Sequence, residues 1–197
     1  MGLLDPTSGS DVQLNGLAPR VDGLHGKRIG LYDNGKMAAE PVLEVLEGKL
    51  RDRYENITIS RHAKETKHDV EDPEKLAAVS EWANEEELDA CIGAIGDCGS
   101  CTKLLTWGMA AVEEVGVPTV GLIDEGFELD WQSNAIERGW PLRYEKTAVR
   151  SEVRDHELIA ERMTPDALAA IEDELTRPLS ETETNGTRTD NRTPTHE

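Results

Sequence analysis

Short apolar runs alternate with stretches of helical spacing along most of this chain, and that alternation limits the fold more than any other feature. Arg28-Ile29-Gly30-Leu31-Tyr32 is apolar and runs into Asp33-Asn34-Gly35-Lys36, which predicts a strand ending in a turn. From Ala38 to Tyr54 the residues Val42, Leu43, Val45, Leu46 and Leu50 recur at helical spacing, with Pro41 in the first turn where its missing N–H does no harm. Asn56 to Ser60 predicts a second strand, with Ile57 and Ile59 alternating, followed by a polar loop carrying His62 and His68. Asp72-Pro73 opens a helix to about Glu86, with Asp72 as N-cap and Leu76, Val79, Trp82 and Ala83 on one face. Leu88 to Ile95 is apolar throughout, as a parallel strand covered on both faces must be. A helix follows to Glu114 with Leu104, Leu105, Met109 and Val112 inward; Gly116 caps it, and Val117 to Ile123 is a fourth buried strand.

This alternation predicts an α/β fold: a doubly wound, mostly parallel sheet of four to five strands, with helices on both faces and the flavodoxin-like order 2-1-3-4-5. Beyond it, a helix is expected over Phe127 to Arg138, a fifth strand over Leu142 to Val149, and a last helix from Thr164-Pro165 to about Leu175. Residues 1–26, rich in Gly, Pro, Ser and Asp, read as an extended arm packing through Leu3, Leu4 and Leu17. Residues 27–178 make one domain. Residues 179–197, almost without apolar side chains, read as a disordered tail. There is no internal repeat.

The formal charge is -19, from 40 acidic and 21 basic residues, so phosphate backbones and anionic membranes are disfavoured partners. Disorder and salt adaptation are the competing explanations of such acidity. Acidic residues on helix surfaces, ordinary buried strands between them, and lysine scarcer than arginine favour a folded halophilic protein whose repulsion is screened in molar salt. No apolar stretch approaches the ~20 residues that span a bilayer. Met1 to Asp11 has neither a basic start nor a long apolar run, and a cytoplasmic location is expected.

In open parallel sheets ligands bind beyond the carboxyl ends of the strands, where the strand order reverses. The four strand ends carry Asp33, Asn34 and Lys36; Arg61 and His62; Asp97, Cys98, Ser100 and Cys101; and Asp124 and Glu125. With order 2-1-3-4-5, the first and third groups converge. The turn Gly96-Asp97-Cys98-Gly99-Ser100-Cys101 has a chemistry of its own. At a helix start, free N–H groups and the positive dipole end stabilise a thiolate at Cys98, and Cys101 stands one turn away as resolving partner. Gly99 allows the tight turn, and Ser100 offers a hydroxyl to the thiolate. Asp97 opposes this, since a nearby carboxylate raises a thiol pKa.

Blander readings stand beside these. The cysteine pair could pack inertly or form half of a zinc site, but no second pair or His spacing completes such a site, and no metal is expected. Three cysteines with this spacing do not make an extracellular disulfide framework. Cys91, inside an apolar strand, is core. His62 and His68 fit a solvated loop, Lys36 an ordinary surface position, Asp33 and Asn34 an Asx turn, and Trp107, Trp131 and Trp140 core or lid positions. The glycines make no dinucleotide fingerprint.

Together the segments Arg28-Ile-Gly-Leu-Tyr-Asp-Asn-Gly-Lys36, Gly96-Asp-Cys-Gly-Ser-Cys-Thr102 and Gly116-Val-Pro-Thr-Val120 resemble the UGSC family of (seleno)proteins. Leu4-Asp-Pro-Thr7 and Leu17-Ala-Pro-Arg20 resemble its N-terminal arm, and the similarity runs from about residue 3 to about residue 150. The resemblance implies that Cys98 stands at the position of the selenocysteine in the motif that gives the family its name, and Cys101 at the motif's closing cysteine. A selenol ionises and leaves more readily than a thiol, so the resemblance implies redox or strongly nucleophilic chemistry, here at a slower cysteine centre.

The expected function is a thiol-based oxidoreductase in which Cys98 attacks and Cys101 closes a disulfide. Asp33, Asn34, Lys36, Asp97, Ser100, Thr102 and Glu125 would support the site or hold a small-molecule substrate. No cofactor is expected beyond an external thiol reductant. The alternatives are a single-cysteine enzyme of racemase or lyase type acting on a small acid, and a non-catalytic ligand-binding subunit of a reductase complex.

Overall fold

A computed structural model describes residues 14–63, 69–147, 149 and 153–185. Its centre is a five-stranded, all-parallel sheet: β1 (Arg28–Asp33), β2 (Thr58–Ala63), β3 (Ala90–Gly96), β4 (Thr119–Asp124) and β5 (Tyr144–Thr147), in the order β2-β1-β3-β4-β5. The expected fold class and strand order are those observed. The helices are α1 (Ala39–Arg53), α2 (Pro73–Glu85), α3 (Gly99–Glu114), α4 (Glu128–Glu137), α5 (His156–Arg162), α6 (Pro165–Thr176) and α7 (Glu181–Asn185), with a 3-10 turn at Asp69–Glu71.

Two apolar layers sandwich the sheet. Ile29, Leu31, Ile92, Val120 and Leu122 pack with α1, α5 and α6, chiefly through Leu43, Leu46, Ile159 and Ile171. Tyr32, Cys91 and Ile123 pack with α2, α3 and α4 through Val79, Leu105, Met109 and Trp131. On this second face Gly93 and Gly121 are partners in register on β3 and β4. A Cβ on Gly93 would meet the Met109 sulfur at 2.7 Å, and one on Gly121 would run into the Trp131 indole. The missing side chains let α3 and α4 seat directly on the sheet.

The helix starts follow their capping chemistry. Asp72 accepts from Glu74 N–H, Asp155 from Glu157 and Leu158 N–H, and Thr164 from Ala167 N–H, with Pro73 and Pro165 in first turns. The short α5 lacks a long apolar repeat and is not among the expected helices; its Asp155 cap and the buried Ile159 hold it.

Residues 14–26 form no regular element and lie against the rest of the chain with Leu14, Leu17 and Leu24 buried. Arg20 pairs with Glu113 of α3 at 2.7 Å inside the protein. Leu3, Leu4 and His68 lie outside the described residues. Two expectations are corrected. His62 is not in a loop: it sits on β2, stacked on Tyr32 and tilted against Trp82 at 5.0 Å between ring centroids. Residues 181–185 of the expected disordered tail form α7. The reason is ionic rather than apolar: Arg143 is buried, donates to the carbonyls of Glu174, Arg177 and Pro178, and completes its coordination with the Glu183 carboxylate at 2.6 Å. The rest of that tail, 186–197, lies outside the described residues.

Candidate functional site

The site forms where β1 and β3 are neighbours and the chain leaves them in opposite directions along the sheet, β1 toward α1 and β3 toward α3. Cys98 is the N-cap of α3, in extended backbone, and its carbonyl accepts from Thr102 N–H at 2.8 Å. Its sulfur takes the role an N-cap oxygen usually has, accepting from Cys101 N–H at 3.1 Å. The Ser100 hydroxyl lies 3.5 Å from the same sulfur. Cys98 and Cys101 are joined as a disulfide with their Cα atoms 5.1 Å apart. Gly99 and Ser100 are exposed and leave the outer side of the pair open.

The β1–α1 loop is tied to this turn by Asn34, which is 2 % exposed. Its side-chain amide donates to the carbonyls of Ile95 and Cys101, while its side-chain carbonyl accepts from Ile95 N–H and Lys36 N–H. Asn34 therefore clamps the two loops rather than facing a ligand. Asp33 forms an Asx turn, the blander of its two readings, accepting from Gly35 N–H at 2.7 Å. Lys36 extends over the turn with its Nζ 3.4 Å from Asp97, whose side chain is fully shielded from solvent.

Thr102 is buried beneath the turn; a Cβ on Gly96 would meet its hydroxyl at 2.9 Å, so its role is to support the floor of the site. Glu125 is exposed at the end of β4, and its N–H donates to Asp124. The acidic side chain that reaches the cysteine turn from this side is Asp130 of α4, with Oδ1 3.6 Å from where a Gly99 Cβ would be. Asp130 was not among the expected site residues: only the packing of α4 against α3 brings it in. Trp107 is held between Lys103 and Arg138 at 4.7 and 4.9 Å, on the partly buried outer side of α3, while Trp131 is core.

The third cysteine is chemically separate. Burial pushes the Cys91 thiol up from its ordinary pKa, and the Glu113 charge pushes the same way, so it stays protonated in the core. Among the described residues, the ligand-type atoms that cluster are those of Asp97, Cys98 and Cys101, all within 4.8 Å of one another.

Fold and site define an open, doubly wound α/β protein that carries a vicinal cysteine pair on a helix N-terminus at the point where strand order reverses. The UGSC family model matches residues 2–177, and the chain belongs to the UGSC family. No curated protein matches it. Among solved structures, the response regulator domain of Thermotoga maritima CheB is similar at a TM-score of 0.43 and 12% identity, covering 78% of this chain and 98% of that one. No helix among the described residues is long and apolar enough to cross a membrane.

Proposed function

We propose that the protein is a thiol–disulfide oxidoreductase working through Cys98 and Cys101. The observation that supports this most directly is the disulfide itself, placed at the N-terminus of α3 with a backbone N–H on the Cys98 sulfur. The same N–H and the helix dipole favour a thiolate there once the pair is reduced. Among the described residues, hydrogen bonds reach the Cys98 sulfur and none reaches that of Cys101. Cys98 is thus the attacking sulfur and Cys101 the resolving one.

In the reductive half, the Cys98 thiolate attacks one sulfur of a small disulfide RSSR and expels RS⁻. The Cys101 thiolate then attacks Cys98 Sγ, closes the protein disulfide and expels the second RS⁻. Two electrons pass from the dithiol to the substrate, and two protons convert the leaving thiolates to RSH. An external dithiol reverses these steps on the protein and restores the starting state. Lys36 and Asn34 act around this centre, Lys36 offsetting the Asp97 charge and Asn34 holding the two loops in register. The acidic surface is that of a protein working in molar salt, where screening contracts to about 3 Å.

The test is alkylation of the reduced protein across pH in high salt, read by peptide mass. The proposal requires Cys98 to label well below the pH of an ordinary thiol, and to be protected once oxidation links it to Cys101. Early labelling with no such link would favour the single-cysteine enzyme, and uniformly slow labelling would make the turn structural.

A further inference from the structure

The Asp97 carboxylate does more than a dithiol needs. Its side chain is 0% exposed, yet neither oxygen accepts a hydrogen bond among the described residues. A buried carboxylate is costly unless cations or donors compensate it. Lys36 compensates Oδ1 at 3.4 Å from a partly exposed position. An Asp97 oxygen and the two cysteine sulfurs fall within 4.8 Å of one another, three donor atoms that a cation could share.

We propose that, when the Cys98–Cys101 disulfide is reduced, Asp97, Cys98 and Cys101 form a three-ligand site for a thiophilic divalent cation of the zinc type. Zinc binds thiolate sulfur at about 2.3 Å and carboxylate oxygen at about 2.0–2.2 Å, so tetrahedral ligands stand about 3.5–3.8 Å apart. That spacing fits inside the observed cluster once the sulfurs are no longer bonded to each other. The Cys101 N–H on the Cys98 sulfur supports the thiolate form that metal binding needs. Two thiolates and one carboxylate around a divalent cation leave one excess negative charge, and Lys36 beside Asp97 offsets it. The exposed Gly99 and Ser100 leave the fourth position open to water.

The binding step balances without electron transfer: two S–H bonds become two metal–sulfur bonds and two protons leave to solvent. The oxidised pair has no thiolates to give, so the cation binds the dithiol state and not the disulfide. A bound cation masks Cys98 and thereby regulates the exchange reaction. This inference rests on the proposed function only in requiring a disulfide that can be opened.

The experiment uses the full chain, reduced with a dithiol, freed of reductant without air, and titrated with zinc against a chromophoric chelator. Cobalt(II) serves as a second probe, because its thiolate charge-transfer absorption counts the bound sulfurs. One zinc per chain is expected in the reduced protein and none in the oxidised one. Asp97→Asn should bind at least tenfold more weakly with an unchanged thiol count. Cys101→Ser should halve the cobalt charge-transfer intensity or abolish it. Cys98→Ser gives an independent check, since serine preserves the N-cap. The site assignment is overturned by no zinc uptake in the reduced protein, by equal affinity in Asp97→Asn, or by one zinc shared between two chains. Reduced protein that exchanges disulfides yet ignores zinc defeats this inference alone. Zinc uptake without any exchange defeats the oxidoreductase reading alone. A pair that no dithiol can open defeats both.

Discussion

Replacing Glu113 by alanine should destabilise the fold by at least about 4 kcal/mol, and the structure says why. The carboxylate is fully buried and paired to Arg20 by contacts of 2.7 and 2.9 Å. It also accepts from Ala18 N–H, Thr119 N–H and the Thr119 hydroxyl, joining the arm, α3 and the start of β4 at one point. Burial pulls the Arg20 guanidinium below its ordinary pKa, and Glu113 is the main charge that opposes this, with Glu183 acting the same way more weakly. Removing one partner of a buried pair costs about 3–5 kcal/mol, because the other charge is left uncompensated. Each orphaned backbone N–H adds about 1–3 kcal/mol. For a chain of this size, 4 kcal/mol corresponds to a fall in Tm of about 8–16 °C. Urea titration, which leaves ionic strength unchanged, is the assay. Salt ions do not enter a buried site, so the loss should be the same at low and at molar KCl. By contrast, the more exposed Arg61–Glu47 pair should contribute less than about 1 kcal/mol and vanish in salt. A loss below about 1 kcal/mol for Glu113→Ala, or one that salt removes, would refute the reasoning.

Reducing the Cys98–Cys101 bond should cost the fold no more than about 2 kcal/mol, because so short a loop constrains the unfolded chain little; urea curves with and without dithiol measure it. Cys98→Ser should keep the stability of the reduced protein within about 0.5 kcal/mol, since serine caps α3, while abolishing disulfide exchange. Gly121→Ala should lose about 2 kcal/mol or more, with altered tryptophan fluorescence, because the new methyl displaces the buried Trp131 indole whose N–H donates to Leu142. Burial alone would raise the Glu183 pKa, but hydrogen bonds from Arg143 and Ser180 bring it down to about 2. A carboxyl depressed in the folded state stabilises above its unfolded pKa and loses that contribution as pH falls. Proteolysis beyond Arg177 should therefore accelerate between about pH 4.5 and 2, and Glu183→Gln should abolish that dependence.

How much was legible varies by element. The β1 to β4 alternation could be read because central parallel strands must be apolar and the helices between them must be amphipathic, so Leu88–Ile95 and Val42–Leu50 announce themselves locally. The cysteine turn could be read because capping acts within one helical turn. Helix α7 could not, since what holds it is the buried Arg143 guanidinium just before β5 together with a backbone hydrogen bond from Leu17 of the arm, and polar composition conceals such anchors. His62 was misplaced because alternation in Thr58–Ala63, an edge strand, is weak and its packing partners Tyr32 and Trp82 come from other elements. The local code of the chain thus determined the class of sheet and put a cysteine pair at a strand end. Tertiary packing alone decided that Asn34 clamps two loops, that Asp97 is sealed beside both sulfurs with Lys36 over it, and that Glu113 ties the arm to the core. Those are properties of distance and dielectric between residues far apart in the chain, and they exist only once the strands are side by side.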